Sequence, residues 1–548
     1  MVALDNSIAL LGNVASAAFP VRDVADPLVV HRRAEALAVS THTPSQATRV
    51  VRRTPVHRPP TLRRPARRTI VHITAEYHRY AQTGGLAEAV AGLAACQVRA
   101  GEQVVVFVPL YPSVREVAPD LVPLAAPEDL VVGNRTESVR FYRHAVRGIG
   151  PQLIFVDAPG CFARAGLYGD GGVDYPDNHV RFATFAMASL LGIDRFLKGP
   201  VLLHAHDWHA ALAPVYMRTH PAFRERFAST PAVLSVHNAG YQGHFGAGAM
   251  ADLSLPPELW NVDAMEWYGR LNLLKGGLVY CDAAVTVSPA HAVELRTQEG
   301  GFGLHDTFRQ LGERLVGICN GINHGDWDPA TDSQIAATFT SADLAGKASC
   351  KAALQRAYGL PERAELPLIG MSSRLVGQKG FDIVLQSRQL GSPAVQFIIL
   401  GQGEPRYHDA VSAMAARYPQ GVACEFGFTD RLEHQLMAGA DALLMPSLYE
   451  PCGLAQMHAQ RYGTPVIGRR VGGISDTVTD ADTGFLFDRY DAESLDGAID
   501  RALAQFADPA GWRAMMQRAM ARDFDWERSR TDYADVYRAA ERQSPVPV

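Results

Sequence analysis

From Thr69 onward the chain alternates short, near-continuous apolar runs with longer stretches of helical periodicity. The clearest runs span Thr69–Glu76, Gln103–Pro109, Leu153–Asp157, Val201–Asp207, Ala232–Asn238 and Ala284–Ser288. A second series spans Leu368–Arg374, Val395–Gly401, Val422–Gly427, Ala442–Ser447 and Pro465–Gly468. Runs that are apolar on both faces, rich in β-branched residues and separated by helices, predict parallel sheets covered on both sides. Two series predict two doubly wound α/β domains, with a break near Gly321–Lys351, where N-G-I-N-H-G-D-W-D-P-A-T-D is dense in turn residues. Many runs end in Gly, Asp, His or Asn, and ligands bind such sheets at the carboxyl ends of the strands.

Charge changes the picture at one end. Residues 1–68 hold 11 Arg against 4 acidic residues, a balance of +7, against −12 for the remainder. The stretch V-R-R-T-P-V-H-R-P-P-T-L-R-R-P-A-R-R, 51–68, can form neither helix nor ladder, because Pro removes donors and like charges repel. The segment is expected to be a disordered basic extension. Met1–Asn6 carries Asp5 and no basic residue, which is wrong for a secretory signal. With 52 basic and 57 acidic side chains the whole chain is not built to coat nucleic acid. No run approaches the ~18 apolar residues of a membrane span. Seven scattered cysteines without C-x-x-C spacing argue against a zinc site or a disulfide framework and fit a reducing cytoplasm.

Candidate chemistry sits at the ends of the runs. Gln82-Thr83-Gly84-Gly85 opens an apolar helix, and paired glycines let backbone N–H groups approach an anion there; a plain strand-to-helix turn is the alternative. His204-Ala205-His206-Asp207-Trp208-His209 invites a metal, but strand alternation sends His204 and His206 the same way while the chain then turns. The better use is His206 donating a hydrogen bond to a sugar hydroxyl or a leaving phosphate. The chain has five lysines against 47 arginines, so Lys379, five residues after Arg374 on a strand-to-helix loop, stands out. Together the two suit a diphosphate, Arg by its fork and Lys as a point charge. Gly401-Gln402-Gly403 is not continued into a dinucleotide fingerprint and is expected to line a nucleotide pocket. Glu450 can accept hydrogen bonds from adjacent sugar hydroxyls, and the backbone N–H groups of Cys452, Gly453 and Leu454 can bind further oxygens. No His–acid pair neighbours Cys452 in sequence, which argues against a nucleophile.

In order, T-G-G-L-A-E, Y-x-D-N-H-V-R-F (175–182), H-A-H-D-W-H-A-A-L-A-P, S-V-H-N-A-G-Y-Q-G (235–243), E-W-Y-G-R-L-N-L-L-K (266–275), V-S-P, N-G-I, S-R-L-V-G-Q-K-G, L-G-Q-G-E-P and E-P-C-G-L resemble the bacterial and plant glycogen/starch synthase family. The match runs from Thr69 to about Gln543. The resemblance implies the GT-B fold: two Rossmann-like domains facing a cleft (69–325 and 326–524), and a final helix within 525–548 crossing back to the first. It implies transfer of glucose from a nucleotide-glucose to the non-reducing end of an α-1,4-glucan such as glycogen, with retention, without metal or other cofactor. Carried over, Arg374 and Lys379 hold the diphosphate and Glu450 binds the donor glucose. His206 and Asp177 flank the reacting sugar and acceptor, Asn238 contacts the donor sugar, and Gly84 and Gly85 face the donor phosphates.

One position departs from the pattern: Gln82 stands where the family loop begins with lysine. The expectation is ADP-glucose as donor with a weakened preference over UDP-glucose. Rival readings are a UDP-glucose or small-acceptor glucosyltransferase of the same fold, a glucan phosphorylase, which would need a lysine-bound pyridoxal phosphate, and a catalytically weak glucan-binding homologue. Oligomeric state is left open.

Overall fold

Each predicted apolar run contains a strand. The computed structural model describes residues 68–144, 150–427 and 429–544. The first series builds a sheet from β1 (Thr69–Ile73), β2 (Gln103–Pro109), β3 (Val122–Pro123), β4 (Glu128–Val132), β5 (Arg135–His144), β6 (Gln152–Asp157), β7 (Val201–His206), β8 (Ala232–Val236), β9 (Ala283–Thr286) and β10 (Leu315–Gly317). Its order is β10-β9-β8-β7-β1-β2-β6-β5-β3, with β4 paired to β5. From β10 to β6 all pairings are parallel; β3, β4 and β5 make an antiparallel edge. The second series builds an all-parallel sheet from β11 (Leu368–Ser372), β12 (Gln396–Leu400), β13 (Val422–Glu425), β14 (Ala442–Met445), β15 (Val466–Arg469) and β16 (Gly484–Phe487), in the order β13-β12-β11-β14-β15-β16.

Both orders reverse once. The chain leaves β1 towards β2 and β6, then returns to place β7 on the other side of β1; likewise β12 and β14 flank β11. The crevice outside the strand ends at such a switch point is where doubly wound sheets take their ligands. Each sheet has its own apolar core, centred on residues such as Val106, Phe155 and Leu203 in the first and Ile398, Leu443 and Ile467 in the second. The described residues of 68–169 and 174–544 form one unit by contact, while Asp170–Val173 make a tight turn with Gly171 and Gly172 at φ 58° and 82°.

The last helix, Trp526–Gln543, lies on the first sheet although it follows the second in sequence. Trp526, Tyr533, Val536 and Tyr537 pack against Ile70, Leu202 and Val233. Gly92 makes room for this docking, since a Cβ there would lie 2.1 Å from the Trp526 indole nitrogen. The basic extension lies outside the described residues except for Arg68, whose guanidinium pairs with Glu541 and sits 5.5 Å from the Tyr537 ring. Among the described residues no helix is long and apolar enough to cross a membrane. All seven cysteines are free.

Candidate active site

The first switch point is built by β1, β7 and β8. After β1 the buried Glu76 carboxylate accepts from the Thr83 backbone N–H (2.8 Å), the Thr83 hydroxyl (2.7 Å) and the Tyr168 hydroxyl (2.7 Å). These three donors pin the glycine loop, so that Gly84 and Gly85 open the helix Gly85–Arg99. Gly85 faces the other half of the molecule: a Cβ there would lie 3.5 Å from Leu454. Gln82 is exposed, but its side chain is engaged within the loop: its amide nitrogen donates to Glu88 (3.3 Å) and its oxygen lies 3.0 Å from His78 Nδ1.

His72 on β1 lies in register with His204 on β7, and alternation does turn His204 and His206 to one side. The structure does not bring His206 to the cleft. Its ring is buried, with Nε2 2.9 Å from His72 Nδ1 and Nδ1 3.0 Å from His237 Nε2. Both of its ring nitrogens are thus taken by neighbouring imidazoles, and the ring is shielded by His237 at the end of β8. His237, half-buried at the end of β8, is the ring that reaches the opening, and its Nδ1 has no partner among the described residues. Burial holds the histidines neutral, pushing His72 down to about 4 and His237 to about 3. His204 gives both nitrogens to Tyr537 (2.9 Å) and Ser235 (2.7 Å), and His72 and His206 stand at hydrogen-bond distance. The three rings are thus closed by protons rather than arranged to offer lone pairs to a cation.

Asp207, the residue after His206, joins the site although no local sequence signal marks it. It adopts φ 55°, a left-handed conformation costing of order 1–3 kcal/mol that persists where the surroundings demand it. Its Oδ1 accepts from the backbone N–H groups of His237 (2.7 Å) and Asn238 (3.4 Å), locking β7 to β8, and burial raises the carboxyl to about 7. Asn238 Oδ1 in turn accepts from Gly240 N–H (2.9 Å), and a Cβ on Gly240 would lie 2.8 Å from the Tyr449 hydroxyl of the opposite half. Asp177 stands just before the helix Asn178–Phe196 without a side-chain capping bond, its carboxylate held in a fork of Arg164 at 2.7 and 2.6 Å. Arg164 holds its carboxyl below the usual carboxylate range, and both of its oxygens are taken. Asp177 therefore sits as a positioned anion rather than as an open base.

At the second switch point β11 runs into the Arg374 loop and β14 into Ser447–Glu450. Gly380, at φ 81°, lets the loop pass against the Pro446 carbonyl, where a Cβ would come within 2.1 Å. That approach delivers Lys379 to Glu450: Nζ donates to Oε2 at 2.5 Å, and the Ser447 hydroxyl donates to the same oxygen at 2.9 Å. Glu450 Oε1 has no partner among the described residues. Arg374 is exposed, and its guanidinium reaches the Tyr241 hydroxyl at 3.4 Å, across from the first half. Gly401 and Gly403 pack the turn after β12 against Ser373 and Leu375, where Cβ atoms would come within 1.9 and 2.3 Å of carbonyl oxygens, so they shape the loop that carries Arg374. Cys452 is buried, its thiol pushed far up by desolvation, which suits packing and not nucleophilic attack. Beside it Asn320 Oδ1 is a buried acceptor without a partner among the described residues. Gly453 takes φ 71°, turning the chain into the helix Ala455–Arg461.

Residues 69–310 match the starch synthase catalytic domain and 358–514 match glycosyl transferases group 1. A glycogen synthase of Anaeromyxobacter dehalogenans is 41% identical over 476 residues, 86% of this chain and 99% of the relative. A glycogen synthase of Thioalkalivibrio sulfidiphilus is 38% identical over 486 residues, 86% of this chain and 99% of the relative. The catalytic domain of Arabidopsis thaliana starch synthase IV, solved with ADP and acarbose, superposes with a TM-score of 0.79 at 30% identity, over 87% of this chain and all of that one. Sucrose-phosphate synthase of Thermosynechococcus elongatus shares the fold, with a TM-score of 0.54 at 19% identity over 86% of this chain and 98% of its own. With two doubly wound sheets, a returning final helix and relatives that it spans almost end to end, the chain belongs to the glycogen and starch synthase family of GT-B glycosyltransferases.

Proposed function

We propose that the enzyme transfers glucose, with retention, from ADP-glucose to the non-reducing end of an α-1,4-glucan. The observation that carries this reading is that residues of the two switch points meet: Tyr241 with Arg374, Gly85 with Leu454, Gly240 with Tyr449. One side offers neutral groups suited to hydroxyls, the other paired charges suited to a diphosphate. Arg374 and Lys379 grip the diphosphate and stabilise it as it departs, supplying positive charge that would otherwise call for a metal. Glu450 Oε1 accepts from donor-sugar hydroxyls. His237, Asn238 and Asp207 line the sugar from the other half, and Gly84 and Gly85 admit the phosphates close to backbone N–H groups.

In the proposed step the bond from the anomeric carbon to the phosphate oxygen breaks as the acceptor hydroxyl attacks the same face. The acceptor's proton passes to the departing phosphate oxygen. Glu450, paired with Lys379 and accepting from the Ser447 hydroxyl, is a ligand for hydroxyls and not a nucleophile, so no glucosyl-enzyme forms. The Arabidopsis relative's capture with ADP supports an adenine nucleotide.

The test is release of ADP and of UDP from the two glucose donors on glycogen, with NMR of the product linkage. ADP-glucose should turn over to α-1,4 product, and UDP-glucose more slowly. No release from either donor, or a clear preference for UDP-glucose, would reject the reading. A mass adduct of one glucose on Glu450 would reject its second half.

A further inference from the structure

Behind His237 lies a chain of buried polar groups that makes no contact with the cleft. An amide oxygen only accepts, so with Gln97 Oε1 2.8 Å from His72 Nε2, that nitrogen carries the proton. A neutral imidazole has one N–H, and His72 Nδ1 therefore accepts from His206 Nε2 at 2.9 Å. His206 Nδ1 is then bare and accepts from His237 Nε2 at 3.0 Å, which leaves His237 Nδ1 as a lone pair at the opening. The other end of the Gln97 amide donates to the Tyr537 hydroxyl at 2.8 Å. That hydroxyl donates to His204 Nδ1 at 2.9 Å, so His204 Nε2 donates to Ser235 at 2.7 Å. The orientation of one amide thus sets where the proton sits on four rings, and desolvation keeps all four neutral.

We propose that Gln97, His72 and His206 are positioning residues that fix His237 in the tautomer with Nδ1 bare, and that the final helix locks them through Tyr537. The amide has one partner at each end, the Tyr537 hydroxyl at its nitrogen and the His72 imidazole at its oxygen. Loss of the Tyr537 hydroxyl leaves the amide nitrogen without that partner and frees the amide to turn, and the reversed orientation makes His237 Nδ1 a donor. The final helix acts on the site in this way although it touches no substrate. The inference rests on the proposed function in one respect only, that His237 meets a sugar hydroxyl.

The test uses the full-length protein with imidazole nitrogens labelled, the His237 resonances being identified by their loss in His237→Gln. In the substrate-free wild type Nδ1 should be unprotonated and Nε2 protonated throughout about pH 6–8. Gln97→Leu and Tyr537→Phe should each mix the tautomers of His237 and lower kcat roughly five- to thirtyfold, with KM for the nucleotide sugar within about twofold of wild type. Val536→Ala, buried on the same helix but outside the chain of polar groups, should lower the melting temperature and leave tautomer and kcat alone. If Gln97→Leu does not fold, Tyr537→Phe carries the test. A proton on His237 Nδ1 in the wild type, or a tautomer indifferent to the folded variants, overturns the relay. Wild-type protein with the stated tautomer but no glucosyl transfer would keep the relay and remove the functional reading.

Discussion

The two switch points are built alike and finished differently. Both lie where a doubly wound sheet reverses its strand order, and both run from strand ends into loops rich in glycine. At the first, the histidines and Asp207 are buried and neutral or reluctant to ionise, four histidines held below their usual range and Asp207 above it, all by desolvation, while the carboxyl groups of Glu76 and Asp177 are taken up by donors of the same half. At the second they are charged, with Arg374 exposed and Lys379 paired to Glu450. A dry neutral surface recognises hydroxyls with little desolvation penalty for itself, whereas a diphosphate needs countercharge. A nucleotide-sugar presents both kinds of group, and the difference between the halves matches its two ends.

The largest expected effects come from breaking the charged half. Arg374→Ala and Lys379→Ala should each lower kcat roughly 10²–10³-fold, the loss seen when one preorganised donor is removed from a developing anion. They should part in stability. Arg374 is exposed and its loss should leave the melting temperature unchanged, whereas Lys379→Ala strands Glu450, 5% exposed, which should cost about 3–5 kcal/mol. Equal melting of the two variants would show that the Lys379–Glu450 pair is not buried in solution.

The neutral half is tested next by Asp207→Asn, which keeps an oxygen for the His237 and Asn238 N–H groups. The folded carboxyl near 7 holds a proton that the unfolded chain releases near 4, so wild-type stability should fall as pH rises from about 4 to about 7 and then level. The variant should lose that slope and melt at least as high as wild type at about pH 8, while turning over roughly tenfold or more slowly. A variant less stable than wild type at that pH would place the charge in a friendlier setting than the structure does. Gly92→Ala should force Trp526 aside and cost about 1–3 kcal/mol, loosening the final helix from the first sheet. Its melting temperature measures that directly, and an unchanged one would contradict the docking.

The smallest effect belongs to Gln82→Lys. A lysine here would meet Glu88, which already accepts from Gln82, so part of its charge would be neutralised before it reached a phosphate. The gain in kcat/KM with ADP-glucose should be about fivefold or less, at the low end of what one added charge brings. No gain, or a loss, would mean that the loop is shaped for its glutamine.

These contrasts were unevenly visible in the sequence. Parallel strands buried on both faces announce themselves as continuous apolar runs, and all of those predicted hold strands. The edge strands Glu128–Val132 and Arg135–His144 alternate exposed and buried residues and so form no continuous apolar run. Predicted runs overshot their strands at Glu76, Asp207, Asn238 and Arg374, because the chain leaves the sheet there to form the site. Arg374, Lys379 and Glu450 stood out by residue type and scarcity. His237 and Asp207 did not, since their roles depend on β8 lying beside β7, a pairing of Ser235 with His206 that no local pattern reveals. The backbone strain at Asp207 is likewise invisible until the fold is known.

The division between the halves is tested most directly by calorimetric binding of ADP and of ADP-glucose to wild type, Arg374→Ala and His237→Ala. The account predicts that Arg374→Ala weakens both ligands by a common factor, while His237→Ala leaves ADP untouched and removes the extra affinity that glucose confers. Loss of ADP binding in His237→Ala, or a glucose increment that survives it unchanged, would contradict the account.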